Sequence, residues 1–271
     1  MSRIYELASA TRAAGEPRPE AEAGGPGQAS PASCTGQRAE KLSLCSAEIR
    51  QRHPCVFAFE EDKQAAEEYR VVRTKILRHA AQPRVIAISS ADAGDGKTLT
   101  ALNVAAVLSL KEDTNVLLID ADVRRGRIGG ILGAADRPGL THVLADRAAF
   151  EDAAAGIRQY PRLQVLPAGE MGDAQSDLLD SDAWTRLIAC ARERYRVTLI
   201  DTAPLTGILD THHVMNAADG MLLVVRPDHT NRTRWLNAVK AVPREKMLGV
   251  VVNGVKEWFL NRPTNTYYYG G

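Results

Sequence analysis

A mostly parallel β-sheet sandwiched by helices is the fold class that this 271-residue sequence predicts, and three observations predict it. From Val85 onward, short apolar runs alternate with helical patterns, as expected of strand–helix–strand units. Several of those runs are apolar throughout, which suits strands buried on both faces of a parallel sheet. One of them, Val85-Ile-Ala-Ile88, leads into Ala91-Asp-Ala-Gly-Asp-Gly-Lys-Thr98 and then into a helical pattern, so a turn of small residues joins a strand to a helix N-terminus.

Residues 1–55 divide into a short start, Met1–Ala8, and a stretch rich in Ala, Gly, Pro, Ser and Glu that reads as a disordered linker. The α/β domain then spans 56–260, and a tyrosine-rich tail occupies 261–271. A helix is expected over 60–81, with Tyr69, Val72, Ile76 and Leu77 on its apolar face and Arg70 and Arg73 on another, ended by Pro83. Strand 85–90, helix 97–111, strand 116–121, strand 163–167, helix 180–195 and strand 197–201 follow. A helix near 210–218, strand 220–226, helix 231–241 and strand 248–253 complete the alternation. No internal repeat is present.

The turn after the first of these strands has the chemistry of a phosphate cradle. Gly94 and Gly96 let successive backbone N–H groups converge, and the amides from Gly94 through Asp95, Gly96, Lys97, Thr98 and Leu99 form the expected ATP-binding set. Lys97 would reach the β- and γ-phosphates, and the Thr98 hydroxyl would bind Mg²⁺. Two further strands are tipped with carboxylates: Val116-Leu-Leu-Ile-Asp-Ala-Asp122 and Val197-Thr-Leu-Ile-Asp201. Strand ends of this kind face the cleft where parallel sheets bind ligands. Asp201 fits a carboxylate that holds Mg²⁺ through its water shell, while Asp120 and Asp122 are placed for metal or proton-transfer work. A lone Asp after a strand would be a turn former or a cap; three beside a phosphate loop point to a site.

Composition narrows the classes. The net charge of +1 implies no strong pull toward nucleic acid or acidic lipid. The longest apolar runs are far below the roughly 20 residues that cross a bilayer, so no direct membrane span is expected. Cys34, Cys45, Cys55 and Cys190 show no Cys-x-x-Cys pairing, and the N-terminus does not resemble a signal peptide. A cytoplasmic chain with free thiols is the expectation. His79, His212 and His213 read as surface or core residues rather than metal ligands.

With the phosphate loop, Leu118-Ile-Asp-Ala-Asp-Val-Arg-Arg125 and Leu199-Ile-Asp-Thr-Ala-Pro204, the chain resembles the bacterial tyrosine kinases of exopolysaccharide and capsule assembly. The resemblance runs from about Glu67 to the C-terminus. Its discriminating element is the pair of Asp residues one apart followed by Arg-Arg, which matches that family's Walker A′ motif; Asp201 matches Walker B. Glu67, Arg70 and Arg73 match a Glu-x-x-Arg-x-x-Arg pattern that lies at the subunit contact of a ring-shaped oligomer in relatives. Val165-Leu-Pro-Ala-Gly169, Asp177-Leu-Leu179 and Gly249-Val-Val-Val-Asn253 are further points of similarity. By resemblance Asn253 contacts the adenine, and Asp210 matches the Asp of a Thr-Asp-Ala segment; the helix N-cap is its other reading.

The tail Thr266-Tyr-Tyr-Tyr-Gly-Gly271 completes the resemblance. In such kinases a tyrosine cluster here is both substrate and regulator, phosphorylated by a neighbouring subunit, which would make Tyr267, Tyr268 and Tyr269 the acceptors. The alternative is a tail that docks its aromatic rings on a surface. Phosphoryl transfer is mostly positioning and charge stabilisation: Lys97, the loop amides and Mg²⁺ neutralise the phosphates, Asp120 accepts the tyrosine proton, and Asp122 and Asp201 hold the metal's waters. Arg124 and Arg125 either touch phosphate or the tail, or are salt-bridged. The resemblance also implies a transmembrane polysaccharide copolymerase, a chain-length determinant, as activator, recruitment to the inner face of the plasma membrane, and a cognate phosphotyrosine phosphatase.

Departures from the family pattern are Ala91 at the start of the loop, Ala93 where Pro is common, Thr-Ala-Pro for Thr-Pro-Pro, and Gly126 for a Pro after Arg-Arg. The first competitor is a partitioning or septum-positioning ATPase, which carries a signature Lys near the start of the loop where this chain has Asp92. An iron–sulfur scaffold ATPase would need a Cys-x-x-Cys pair. The remaining alternative is a nucleotide-responsive regulator of a membrane copolymerase that catalyses nothing.

Overall fold

A computed structural model of the chain describes residues 3–5, 46–205 and 210–255. Its strands are β1 (Arg3–Tyr5), β2 (Val85–Ser90), β3 (Val116–Asp120), β4 (Ala155–Ile157), β5 (Tyr160–Leu166), β6 (Val197–Asp201), β7 (Gly220–Val225) and β8 (Met247–Val252). Among the described residues they form one sheet in the order β1-β8-β7-β2-β6-β3-β5-β4. The six central strands are parallel, and only β1 on β8 and β4 on β5 run antiparallel. β2, β3 and β6 are buried at every position, which is why they carry mostly apolar residues on both faces instead of alternating with exposed polar ones.

The helices are α1 (Ser46–Arg52), α2 (Lys63–Leu77), α3 (Lys97–Ser109), α4 (Ile128–Ile131), α5 (Leu140–Leu144), α6 (Phe150–Ala153), α7 (Asp182–Arg194), α8 (Asp210–Ala217) and α9 (Arg232–Ala241). α2 begins three residues later than its periodicity suggests because Asp62 caps it, accepting from the amides of Gln64 and Ala65. Its apolar stripe of Tyr69, Val72 and Ile76 is buried. Ser181 caps α7 and Asn231 caps α9 in the same way. α3 is buried almost all round, since the sheet lies under it and α2 covers it.

Two cores result. One, under α2 and α3, includes Ile86, Ile88, Leu102, Val104 and Leu118; the other, under α7, α8 and α9, includes Leu117, Ile119, Trp184, Leu187, Val214 and Leu223. α1 falls within the stretch expected to be linker, and its Ile49 is fully buried in the first core with Val56 and Phe57. Short elements without a clear period, α4, α5, α6 and β4, are additions to the expected pattern.

The expectation of free thiols needs correction. Cys55 is free and exposed, but Cys190 on α7 is disulfide-bonded. Pairing depends on tertiary proximity, which spacing along the chain does not reveal.

Candidate active site

β2, β6 and β3 lie side by side, and their C-terminal ends build the site. The register sets Ile88 beside Asp201 and Asp120 beside Asp201, so two carboxylates from neighbouring strands stand level at the sheet edge. The turn Ala91–Gly96 leaves β2 at the same edge and enters α3 at Lys97. Gly94 and Gly96 adopt φ of +92° and +94°, a region open to glycine and strained for other residues. At Gly96 space makes the same demand: a Cβ there would stand 1.9 Å from Nδ2 of Asn253.

Lys97 Nζ lies 3.1 Å from Asp122 Oδ2, and both side chains are nearly buried. Burial works against the ammonium, but the charges of Asp201, Asp122 and Asp120 outweigh it and raise its pKa. Asp120 is fully buried, its Oδ2 accepting from the Ile128 amide at 2.9 Å and its Oδ1 from the Asp122 amide at 3.3 Å. Burial, then the neighbouring Asp201, push its carboxyl up to about 8. Asp201 is pushed up to about 6 by burial, with Lys97 and the Thr98 hydroxyl pulling the other way. Both of its carboxylate oxygens are buried without a hydrogen-bond partner of regular geometry. A buried, unpartnered carboxylate beside a buried threonine hydroxyl is an oxygen-rich setting that fits a hard divalent cation such as Mg²⁺.

The loop's own acidic residues are treated differently. Asp95, fully buried, accepts from the Asp92 amide at 2.9 Å, from Thr230 Oγ1 at 2.7 Å and sits 3.1 Å from His229 Nδ1. Asp92 takes the guanidinium of Arg234 at 2.6 Å and the amide of Asn231 at 3.2 Å. Burial opposes its charge, yet the bond from Arg234 and the Asn231 amide hold its pKa below the usual value. Asn253 donates from Nδ2 to the Asp95 carbonyl at 3.0 Å, which brings the expected adenine-side residue onto the loop. Leu99 packs its side chain against the first core, and its carbonyl accepts from Asn103 Nδ2 at 2.9 Å.

Arg124 is a salt-bridged residue. It bonds Asp210 at 2.8 Å and Asp173 at 2.6 Å, and Asp210 also accepts from Ser176 at 3.0 Å. Asp210 is thus a buried acceptor in the first turn of α8 that ties the segment after β3 to the segment before α7. Arg125 is exposed. On α2, Glu67 and Arg70 form an exposed i,i+3 pair at 3.5 Å, while Arg73 reaches toward the Val107 carbonyl on α3. Tyr267, Tyr268 and Tyr269 lie outside the described residues.

The sequence reading missed the partners of the loop acids, His229, Thr230 and Arg234. The signal available was a polar run, Arg226–Arg234, directly after a buried strand that ends at the site edge.

Residues 83–244 match the AAA-domain family. The chain is 32% identical over 220 residues to the tyrosine-protein kinase YwqD of Bacillus subtilis (strain 168), covering 79% of this chain and 91% of that protein. It is 34% identical over 179 residues to the succinoglycan biosynthesis transport protein ExoP of Rhizobium meliloti (strain 1021), covering 64% of this chain and 22% of ExoP. The solved kinase domain of the Escherichia coli tyrosine kinase ETK superposes with a TM-score of 0.64 at 25% identity, covering 76% of this chain and 80% of that one.

Proposed function

The chain belongs to the bacterial tyrosine kinases of the P-loop class, and from that premise we propose that it transfers the γ-phosphate of ATP to tyrosines of a neighbouring subunit's C-terminal tail, regulating exopolysaccharide or capsule polymerisation and export. The observation that carries the reading is the convergence of Lys97, Asp120, Asp122 and Asp201 at the mouth of a glycine-shaped phosphate loop.

The loop amides from Gly94 to Leu99 cradle the phosphates, and Lys97 neutralises the transferring group. Lys97 is paired with Asp122, so phosphate and Asp122 would compete for one ammonium. Thr98, Asp122 and Asp201 would hold Mg²⁺, which when bound supplies charge neutralisation to the phosphates and to the three carboxylates. Asp120 is the proposed acceptor of the tyrosine proton. Burial and the neighbouring Asp201 raise its pKa to about 8, and positive charge brought into the site would favour the ionised form that a base requires. Tyr267, Tyr268 and Tyr269 are the proposed acceptors, and Asn253 the proposed adenine contact.

Glu67, Arg70 and Arg73 on α2 are the proposed ring contact, and residues 1–55, 56–260 and 261–271 the proposed division into N-terminal segment with linker, kinase domain and tail. Among the described residues no helix is long and apolar enough to cross a membrane. A membrane copolymerase is accordingly the proposed activator, recruiting the cytoplasmic kinase to the inner face of the plasma membrane, and a phosphotyrosine phosphatase the proposed counterpart.

Mass-spectrometric mapping of phosphate after incubation with Mg-ATP tests this reading, using the wild type, Lys97→Met and a triple Tyr267, Tyr268 and Tyr269 to Phe variant, each with and without the activator's cytoplasmic segment. Tail phosphotyrosine that vanishes in Lys97→Met is expected. ATP hydrolysis with no phosphotyrosine under any condition would replace the kinase by a switch ATPase.

A further inference from the structure

A glycine-rich loop has little shape of its own, because Gly94 and Gly96 have the most conformational freedom to lose on ordering. Here much of what fixes the loop comes from one distant segment, Arg226–Arg234, which runs from the end of β7 into α9. Thr230 Oγ1 accepts the Arg226 amide at 2.9 Å and donates to Asp95 at 2.7 Å, linking the loop to the sheet through one hydroxyl. His229 makes two contacts at once. Its Nδ1 lies 3.1 Å from Asp95 Oδ1, and its Nε2 and Cε1 edge lies so near Gly94 that an added Cβ would stand 3.1 Å from both atoms. A neutral His229 must carry its proton on Nδ1 to donate to that carboxylate. Arg234 and the Asn231 amide complete the attachment by holding Asp92 at the loop's entrance.

The segment is also exposed. His229 and Arg234 side chains are 43% and 63% accessible, and within α9 only Ala238 is deeply buried. Its grip on the loop is therefore polar, and the loop's shape depends on a few hydrogen bonds that solvent can reach.

We infer that His229 and Thr230 are positioning residues of the nucleotide site: by holding the buried Asp95 they keep Gly94–Gly96 in the shape that receives the phosphates, so they set nucleotide affinity and leave the transfer step to Lys97 and the strand carboxylates. The inference rests on the nucleotide site proposed above, and the experiment separates the two. Calorimetric titration of the full chain with Mg-ADP is combined with kcat and KM for Mg-ATP, for the wild type, His229→Ala, Thr230→Val and His229→Asn, whose amide N–H can replace Nδ1–H. Binding by the wild type supports the nucleotide site whatever the variants do; its absence overturns both readings.

His229→Ala and Thr230→Val should each weaken Mg-ADP about tenfold and raise KM by a similar factor, with kcat moving less than twofold. His229→Asn should return affinity to within about threefold of the wild type. Unchanged affinity in Thr230→Val, or a loss of kcat at unchanged KM in either variant, overturns the assignment. Should His229→Ala not fold, Thr230→Val and His229→Asn carry the same decision.

Discussion

Two pairs of buried carboxylates lie at one sheet edge and are handled in opposite ways. Asp92 and Asp95, on the phosphate loop, are satisfied by donors from the β7–α9 segment. Asp120 and Asp201, at the tips of β3 and β6, face one another with their pKa values pushed up, and Asp201 has no regular hydrogen-bond partner. A buried charge that is fully hydrogen-bonded fastens one piece of structure to another. One left unpaired is a standing cost, and it suits a site completed by a cation. The same residue type thus serves as brace in one place and, in the proposed reading, as cation holder at the tips of the neighbouring strands.

The most severe way to break that contrast is to neutralise the holder. Asp201→Asn should lower tail autophosphorylation by roughly 10³-fold, while stabilising the protein without nucleotide added by about 1–2 kcal/mol, because burial opposes the charge more than Lys97 and Thr98 favour it. Phosphotyrosine yield and thermal unfolding, measured on one preparation, check both halves. A variant that lost stability would show Asp201 to be a brace after all.

The same substitution on the loop should have the opposite sign. Asp95→Asn keeps one acceptor and sets an amide N–H₂ against donors, so a loss of about 2 kcal/mol is expected, seen as a fall of roughly 4–8 °C in Tm for a chain of this size. Equal and same-signed shifts for Asp95→Asn and Asp201→Asn would dissolve the comparison.

pH sharpens it further. Between the unfolded carboxyl value near 3.8 and the folded value of about 8, folded Asp120 binds a proton that the unfolded chain has lost. Stability of the nucleotide-free protein should therefore fall as pH rises through that window, and Asp201, raised to about 6, adds to the slope over its lower half. Below the unfolded pKa both states are protonated and the penalty is absent. Denaturant unfolding at pH 5 and pH 8 measures the slope, and Asp201→Asn should make it shallower.

The smallest effect concerns the link from Arg124 to Asp210 and Ser176. Arg124→Ala should cost about 1 kcal/mol, the guanidinium being partly exposed and screened, and should loosen the segment between β3 and α4. Hydrogen exchange at residues 122–128 reads this directly, and unchanged exchange would confine Arg124 to the surface.

Much of the fold was legible because its signals are local. β2 and β6 were delimited to the residue by runs such as Val197–Asp201, and α2 announced itself by the spacing of Tyr69, Val72 and Ile76, though its cap Asp62 did not. The cradle was legible for the same reason: Gly94, Gly96, Lys97 and Thr98 act through backbone conformation and immediate sequence. Hidden were β4, whose three residues carry no period, and the partner of Cys190. Asp210 was read as a cap or a family match, and its bond to Arg124, 86 positions away, has no counterpart in local pattern.

By itself, then, the sequence determined the parallel sheet, the phosphate loop and the three carboxylates at strand ends, because strand burial and glycine turns are written in neighbouring residues. Tertiary structure alone decided which carboxylates are satisfied. Asp92 and Asp95 find their partners His229, Thr230 and Arg234 134 to 142 positions away, and the raised pKa of Asp120 and Asp201 comes first from their burial at the ends of β3 and β6, and for Asp120 next from Asp201, which the register sets beside it. Burial and hydrogen bonding are properties of the space around a side chain, and that space is assembled only when the sheet closes.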